Sequence, residues 1–110
     1  MNPFEEIGAY APDAPVAHDV EYKGKTVRMW FVQHSYARFL DQVVKPEVKE
    51  GQRQELVVLG NIVRFDAEGK VAPTYAQLEK IDQGFVKVLI KIAYGVNGID
   101  VDAPADEVKN

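Results

Sequence analysis

Residues 73–98 read PTYAQLEKIDQGFVKVLIKIAYGVNG, and the fold turns on this stretch. Thr74 and Gln77 have the spacing of a capping box, in which each side chain satisfies a backbone N–H left open by the first helical turn. At the far end Asn97-Gly98 supplies residues that tolerate the left-handed turn closing a helix. Between them Leu78, Ile81, Phe85, Val88 and Ile92 alternate steps of three and four and so share one stripe. Leu89 widens that stripe and Tyr75 extends it toward the start. Glu79, Lys80, Lys87 and Lys91 fall mainly off it, as a solvated face does. The pattern predicts one helix from Tyr75 to about Val96, continuous through 78–92. Gly84 inside it costs on the order of 1 kcal/mol relative to alanine; a mid-helix glycine often marks a close approach by another backbone, and can equally carry no meaning. Two heptads of pattern are too few for a free coiled coil, so the stripe is read as core. A helix this apolar needs cover, from the rest of the chain or from a partner.

The cover is sought upstream. VAHDVEY (16–22) and TVRMWFVQ (26–33) are rich in β-branched and aromatic residues and flank Lys23-Gly24-Lys25, which predicts a β-hairpin. Alternation turns Val27, Met29 and Phe31 toward the core and Thr26, Arg28, Trp30 and Val32 away. Ser35 then caps a short helix carrying Tyr36, Phe39, Leu40, Val43 and Val44, which Pro46 ends. Residues 56–65, LVVLGNIVRF, suit either a buried strand or a helix. The lead-in QRQE and the lack of a pairing partner for another strand favour a helix over about 52–64, followed by a turn at Asp66–Gly69.

The expected fold is therefore α+β, an N-terminal β-hairpin packed with about three helices, the long C-terminal helix central. Its core is expected to hold Val27, Met29, Phe31, Phe39, Leu40, Leu59, Ile62, Leu78, Ile81, Phe85, Val88 and Ile92. One domain spans 16–98. Residues 1–15, with three prolines and little pattern, read as a mobile arm that Phe4, Ile7 and Tyr10 can staple down. Residues 99–110 read as an acidic flexible tail.

A chain of 110 residues with 46% hydrophobic and 27% charged residues has the balance of a single globular domain. The formal net charge of −4 is uneven. Glu5, Glu6 and Asp13 give the arm −3, and residues 99–110 carry another −3, so the body is near neutral. Its bases are interspersed with acids, which argues against a nucleic-acid partner. No apolar run is long enough to cross a bilayer and the acidic N-terminus does not suit a secretory signal, so a cytoplasmic protein is expected.

The inventory for chemistry is poor. There is no cysteine, one serine and two threonines. His34 adjoins Ser35, but sequence neighbours do not face each other as nucleophile and base must. His18 and His34 lack a third ligand at metal-binding spacing. Asp100-x-Asp102 lacks the glycine and glutamate of a calcium loop. The eight glycines stand singly, so no phosphate loop is present. An enzyme, a cofactor and a metal are all disfavoured.

The order of features resembles the tail assembly chaperones of long-tailed bacteriophages. The likeness is carried by KGKTVRMWFVQ, the SYARFL helix, VRFDAEGKV with its D-x-x-G turn, the PTYAQLEKI helix start and the closing GVNGI, over roughly Val20 to Ile99. It implies a non-enzymatic protein of the bacterial host cytoplasm without cofactor or catalytic site. Such a protein binds the tape measure protein, keeps it soluble and helps recruit tail tube protein during virion morphogenesis. Self-association is compatible with that role. The alternative is a small structural or connector subunit that stays in the phage tail. A client-holding face should concentrate binding in a few large side chains. Trp30, turned away from the core face of the hairpin, is the first candidate, and Val86 and Tyr94, off the central stripe, are the next.

Overall fold

The computed structural model describes residues 2–100. Tyr22 and Lys25 close the hairpin around Lys23 and Gly24, whose φ angles of 53° and 78° are those of a two-residue turn matched to strand twist. Strand β1 (Val16–Tyr22) pairs antiparallel with β2 (Lys25–Phe31), setting Val20 against Val27 and Val16 against Phe31. A third strand, β3 (Val63–Arg64), pairs with the end of β2 through Trp30 and Phe31. The arm contains α1 (Pro3–Glu6). Helix α2 (Tyr36–Phe39) continues as a π-helical segment, Leu40–Val44, and α3 (Gln54–Ile62), α4 (Tyr75–Glu79) and α5 (Gln83–Val96) follow. The architecture is α+β, as expected.

The core lies between the sheet and α3, α4 and α5. Phe31, Leu59, Ile62 and Leu89 are fully buried there, with Val20, Val58, Val63, Leu78 and Ala93 around them. Burying each of the four large side chains contributes about 1.5–3 kcal/mol. They join strand and helix into one cluster.

Several expectations are corrected. The helix predicted over 75–96 is two helices, interrupted at Lys80–Asp82. The Thr74–Gln77 capping box forms as expected, but Asp82 is a second N-cap, its carboxylate accepting from the Phe85 N–H at 2.9 Å. The cap outcompetes helix continuation because an aspartate at this position satisfies the orphan donors of a new first turn. The break also resets the helical phase. The innermost residues of α5 are Leu89 and Ala93, while Val88 and Ile92 are only half-buried. Gly84 is not mid-helix but in the first turn of α5. What lies close to it is a side chain, the Tyr22 hydroxyl, which a Cβ at Gly84 would meet at 2.6 Å.

Val27, expected inside, is 54% exposed. It does point to the core face, opposite buried Val20, but β3 is too short to flank it and the outer edge of β2 is open there. Leu40, also expected inside, is exposed, because only Phe39 and Val43 of that helix turn toward α3. The helix expected over 52–64 forms from 54 to 62. Its last residues switch to strand, finding in β2 the pairing partner that the sequence did not reveal. The arm, expected to lack pattern, holds a capped helical turn at Pro3–Glu6. The predicted acidic tail lies, from 101 onward, outside the described residues.

Candidate protein-interaction groove

The corner between α4 and α5 opens a cavity of about 740 Å³ against the first turn of α3. Leu56, Leu78, Ile81 and Val86 supply its apolar surface; Gln52, Arg53, Gln54, Glu55, Glu79 and Gln83 supply its polar groups. The size falls within the range of ligand-binding clefts, and the mixture suits a floor that accepts an apolar side chain beneath a hydrogen-bonding rim. Its two sides are tied where the Arg53 N–H donates to the Tyr75 hydroxyl at 2.7 Å. Leu78 and Ile81 also line a smaller apolar cleft of about 160 Å³ on their other side, with Met29, Phe65, Phe85 and Leu89.

Asp82 holds the corner in place. The Tyr22 hydroxyl donates to its Oδ1 at 2.6 Å, Lys23 Nζ to its Oδ2 at 3.1 Å, and the Phe85 N–H to Oδ1. These donors, the Tyr22 hydroxyl foremost, stabilise the carboxylate and bring its pKa down to about 2. The same contact raises the Tyr22 phenol and the Lys23 ammonium above their ordinary values. The Tyr22 ring packs on Phe85 with centroids 4.9 Å apart, so the hairpin tip is fastened to the start of α5 by both polar and apolar contacts.

Of the three residues predicted for partner binding, Val86 lies in the groove. Tyr94, two turns further along α5, is half-buried against the core; burial first, and the Glu55 carboxylate second, raise its phenol. Trp30 is elsewhere. It sits half-buried opposite Ala17 and Arg64, on the face turned away from Phe31, and does not join the core cluster. Leu56 and Ile81 were not singled out for binding. The signal for them was Asp82-x-Gly84, which announces a helix start where an uninterrupted stripe was read.

A second cavity, of about 370 Å³, lies where the arm meets the body and is lined by Asp13, His34, Ser35, Arg38, Arg64 and Glu68 among others. His34 is buried, with Nε2 3.0 Å from the Asn61 carbonyl oxygen, so that nitrogen carries the proton. Its Nδ1 is buried without a partner, and desolvation lowers the pKa of the ring, Arg38 and Arg64 adding to the effect. Arg64 donates to the carbonyls of Gly60, Val63 and Gly69, so it closes loops rather than reaching for a ligand. Ser35 is occupied as the cap of α2. His18, the other imidazole, stands edge-on to the Phe31 ring. Among the described residues no cluster of three acidic or histidine side chains is placed to hold a metal ion, and no helix is long and apolar enough to cross a membrane. No family model matches this chain, and neither a curated protein nor a solved structure matches it.

Proposed function

We propose that this chain is a tail assembly chaperone of a long-tailed bacteriophage, acting without cofactor or catalysis in the host cytoplasm. It would bind the tape measure protein, keep it soluble and help bring tail tube subunits to it. The support is the order of sequence motifs together with one structural observation, the groove between α3 and the α4–α5 corner. A chaperone for a long helical client needs a concave apolar surface with a polar rim, into which an amphipathic helix can lay a few large side chains. The groove has that composition, and Val86 and Tyr94 extend along the helix that borders it.

The test is co-expression with the tape measure protein of the same phage genome, followed by pull-down and measurement of client solubility. Val86→Glu should lower client binding at least tenfold; Val86 is half-buried against the core, so some stability is lost too, and binding is compared at a temperature where circular dichroism shows the variant folded. Trp30→Ala, on the opposite side of the sheet, separates the two candidate faces. Loss of binding in W30A but not V86E would move the site to the sheet. Recovery of the protein in purified virions would instead favour a connector or other structural subunit.

A further inference from the structure

We infer that the open edge of β2 is a binding site for an extended segment of a different polypeptide, which adds as a strand beside residues 26–28 and turns an apolar side chain toward the cleft behind them. The hairpin fixes which backbone groups face that edge. With Tyr22 and Lys25 paired across a two-residue turn, the odd-numbered residues of β2 exchange hydrogen bonds with β1, and the even-numbered ones turn theirs outward. The far end of the edge agrees: Trp30 pairs with Arg64, and the Val32 N–H donates to the Ile62 carbonyl at 2.8 Å. Strand β3 stops at Arg64. Beyond it Thr26 and Arg28 present their N–H and C=O groups outward, and no backbone of the described residues pairs with them. Unpaired strand groups in a row are a template for one more strand.

The surroundings say what kind of strand fits. The apolar cleft of about 160 Å³ is lined by Met29, Phe65, Ile81, Phe85 and Leu89 among others, and Met29 stands two residues from Val27 on the same face of β2. Val27 is 54% exposed. A residue added opposite Val27 forms a non-hydrogen-bonded pair, in which side chains stand closest, so an aliphatic one covers Val27 and reaches past Met29 toward the cleft. Its neighbours lie on the outer face beside Thr26 and Arg28. Arg28 leans across the sheet to Asp19 at 3.0 Å, not over the edge, and leaves the backbone open. Lys25, next on the core face, is exposed and has no ion pair among the described residues. The fitting segment therefore carries an aliphatic residue with an acid two positions on.

Other occupants fit less well. A helix satisfies its own backbone and leaves Thr26 and Arg28 unpaired. A second copy pairing β2 to β2 about Val27 would set Lys25 of one copy opposite Met29 of the other. There the other copy's own chain runs on from β3 through Phe65, and a lysine would meet the mouth of an apolar cleft. A segment without a β3 of its own meets neither obstacle. The site lies across Leu78 and Ile81 from the groove and does not depend on the chaperone reading.

Amide NMR of the full chain, titrated to about 2 mM with the peptide acetyl-Thr-Leu-Thr-Glu-Thr-amide, tests this. Shifts should centre on the Thr26 and Arg28 amides and on the Met29 and Phe65 side chains. N-methylation of the threonine between leucine and glutamate removes one strand donor and keeps every side chain, and should weaken binding at least tenfold. Thr26→Pro should do the same from the protein side, because the N–H it deletes faces outward and the β1–β2 ladder is untouched. The N-methyl peptide needs no variant, so it decides the matter even if T26P does not fold. No shift at Thr26 and Arg28 by 2 mM overturns the inference. So does equal binding of the N-methyl peptide, which would make the contact apolar only, or a parent whose Thr26 and Arg28 amides become protected with rising protein concentration, which would make the occupant a second copy.

Discussion

Asn97 joins the end of α5 to the link between β2 and α2, and Asn97→Ala should cost more than its half-exposed position implies. Its Oδ1 accepts from the His34 N–H at 2.8 Å, and its Nδ2 donates to the carbonyls of Val32 and Ala93, each at 3.0 Å. Two of these bonds close loops of more than sixty residues, so no local structure replaces them. Each ordinary hydrogen bond contributes about 0.5–1.5 kcal/mol net, and a donor left unpaired away from water costs about 1–3 kcal/mol. Water reaches part of the site, which trims the sum to roughly 2–3 kcal/mol. For a domain of this size that is a fall in Tm of about 10–20 °C. Asn97→Asp keeps the acceptor but turns a carboxylate oxygen toward two carbonyls, so at neutral pH it should be no better than alanine. Urea denaturation and amide exchange at His34 provide the readouts. An N97A variant within about 0.5 kcal/mol of the parent, with His34 exchange unchanged, would refute the assignment of Asn97 as the clamp.

Further outcomes follow from the corner, the core and the buried imidazole. Leu89→Ala should lose about 2–5 kcal/mol and Ile92→Ala less than half as much, since Leu89 is 2% exposed and Ile92 only half-buried; equal losses would restore the originally predicted stripe. Gly84→Ala should destabilise by about 1 kcal/mol because its Cβ meets the Tyr22 hydroxyl at 2.6 Å, and Tyr22→Phe in the same chain should recover much of that loss in a double-mutant cycle. Carboxyl NMR should find Asp82 titrating near pH 2, so its contribution to stability is complete above its ordinary value of 3.8 and is lost as pH falls through about 2. His34 has the opposite origin. Its folded pKa lies below the ordinary 6.5, so the unfolded chain takes up the proton first, and stability falls as pH drops below about 6.5. His34→Gln, which can still donate to the Asn61 carbonyl, should flatten that part of the pH profile.

Local signals in the sequence were legible where one residue type has one strong use. Thr74 with Gln77 and Ser35 named their own caps, and both form; the turn expected over Lys23-Gly24-Lys25 forms on Lys23 and Gly24 alone, with Lys25 already paired in β2. The hairpin and its inward face followed from alternation, and Phe31 is its buried anchor. Long-range facts were not legible. The pairing of Val63 and Arg64 with β2 depends on where α3 ends, and two residues of strand carry no periodicity. The exposure of Val27 depends on the shortness of that strand rather than on β2 itself. Asn97 reads as a helix-closing residue from its neighbour Gly98, and its bridging of Val32 to His34 required the fold.

The break at Lys80–Asp82 shows why the candidate groove was missed along with it. The three-four spacing from Leu78 through Ile92 is real, but periodicity reports only that apolar residues recur. It does not report that the helix carrying them is unbroken. Asp82 followed by Gly84 fits poorly inside a helix and well at its first turn, where the carboxylate caps and the glycine leaves room for Tyr22. Once the helix bends there, Ile81 and Val86 line the cavity beside Leu56, and Leu78 and Ile81 border a cleft on either side. The groove is thus a product of the cap, and the hairpin tip holds the cap through Tyr22 and Lys23. On the proposed chaperone reading, an Asp82→Ala variant should therefore alter client binding as well as helix order, although its side chain does not line the groove. Unchanged client binding in a variant whose α5 no longer starts at Gln83 would separate the groove from the corner and remove the structural support for the chaperone reading.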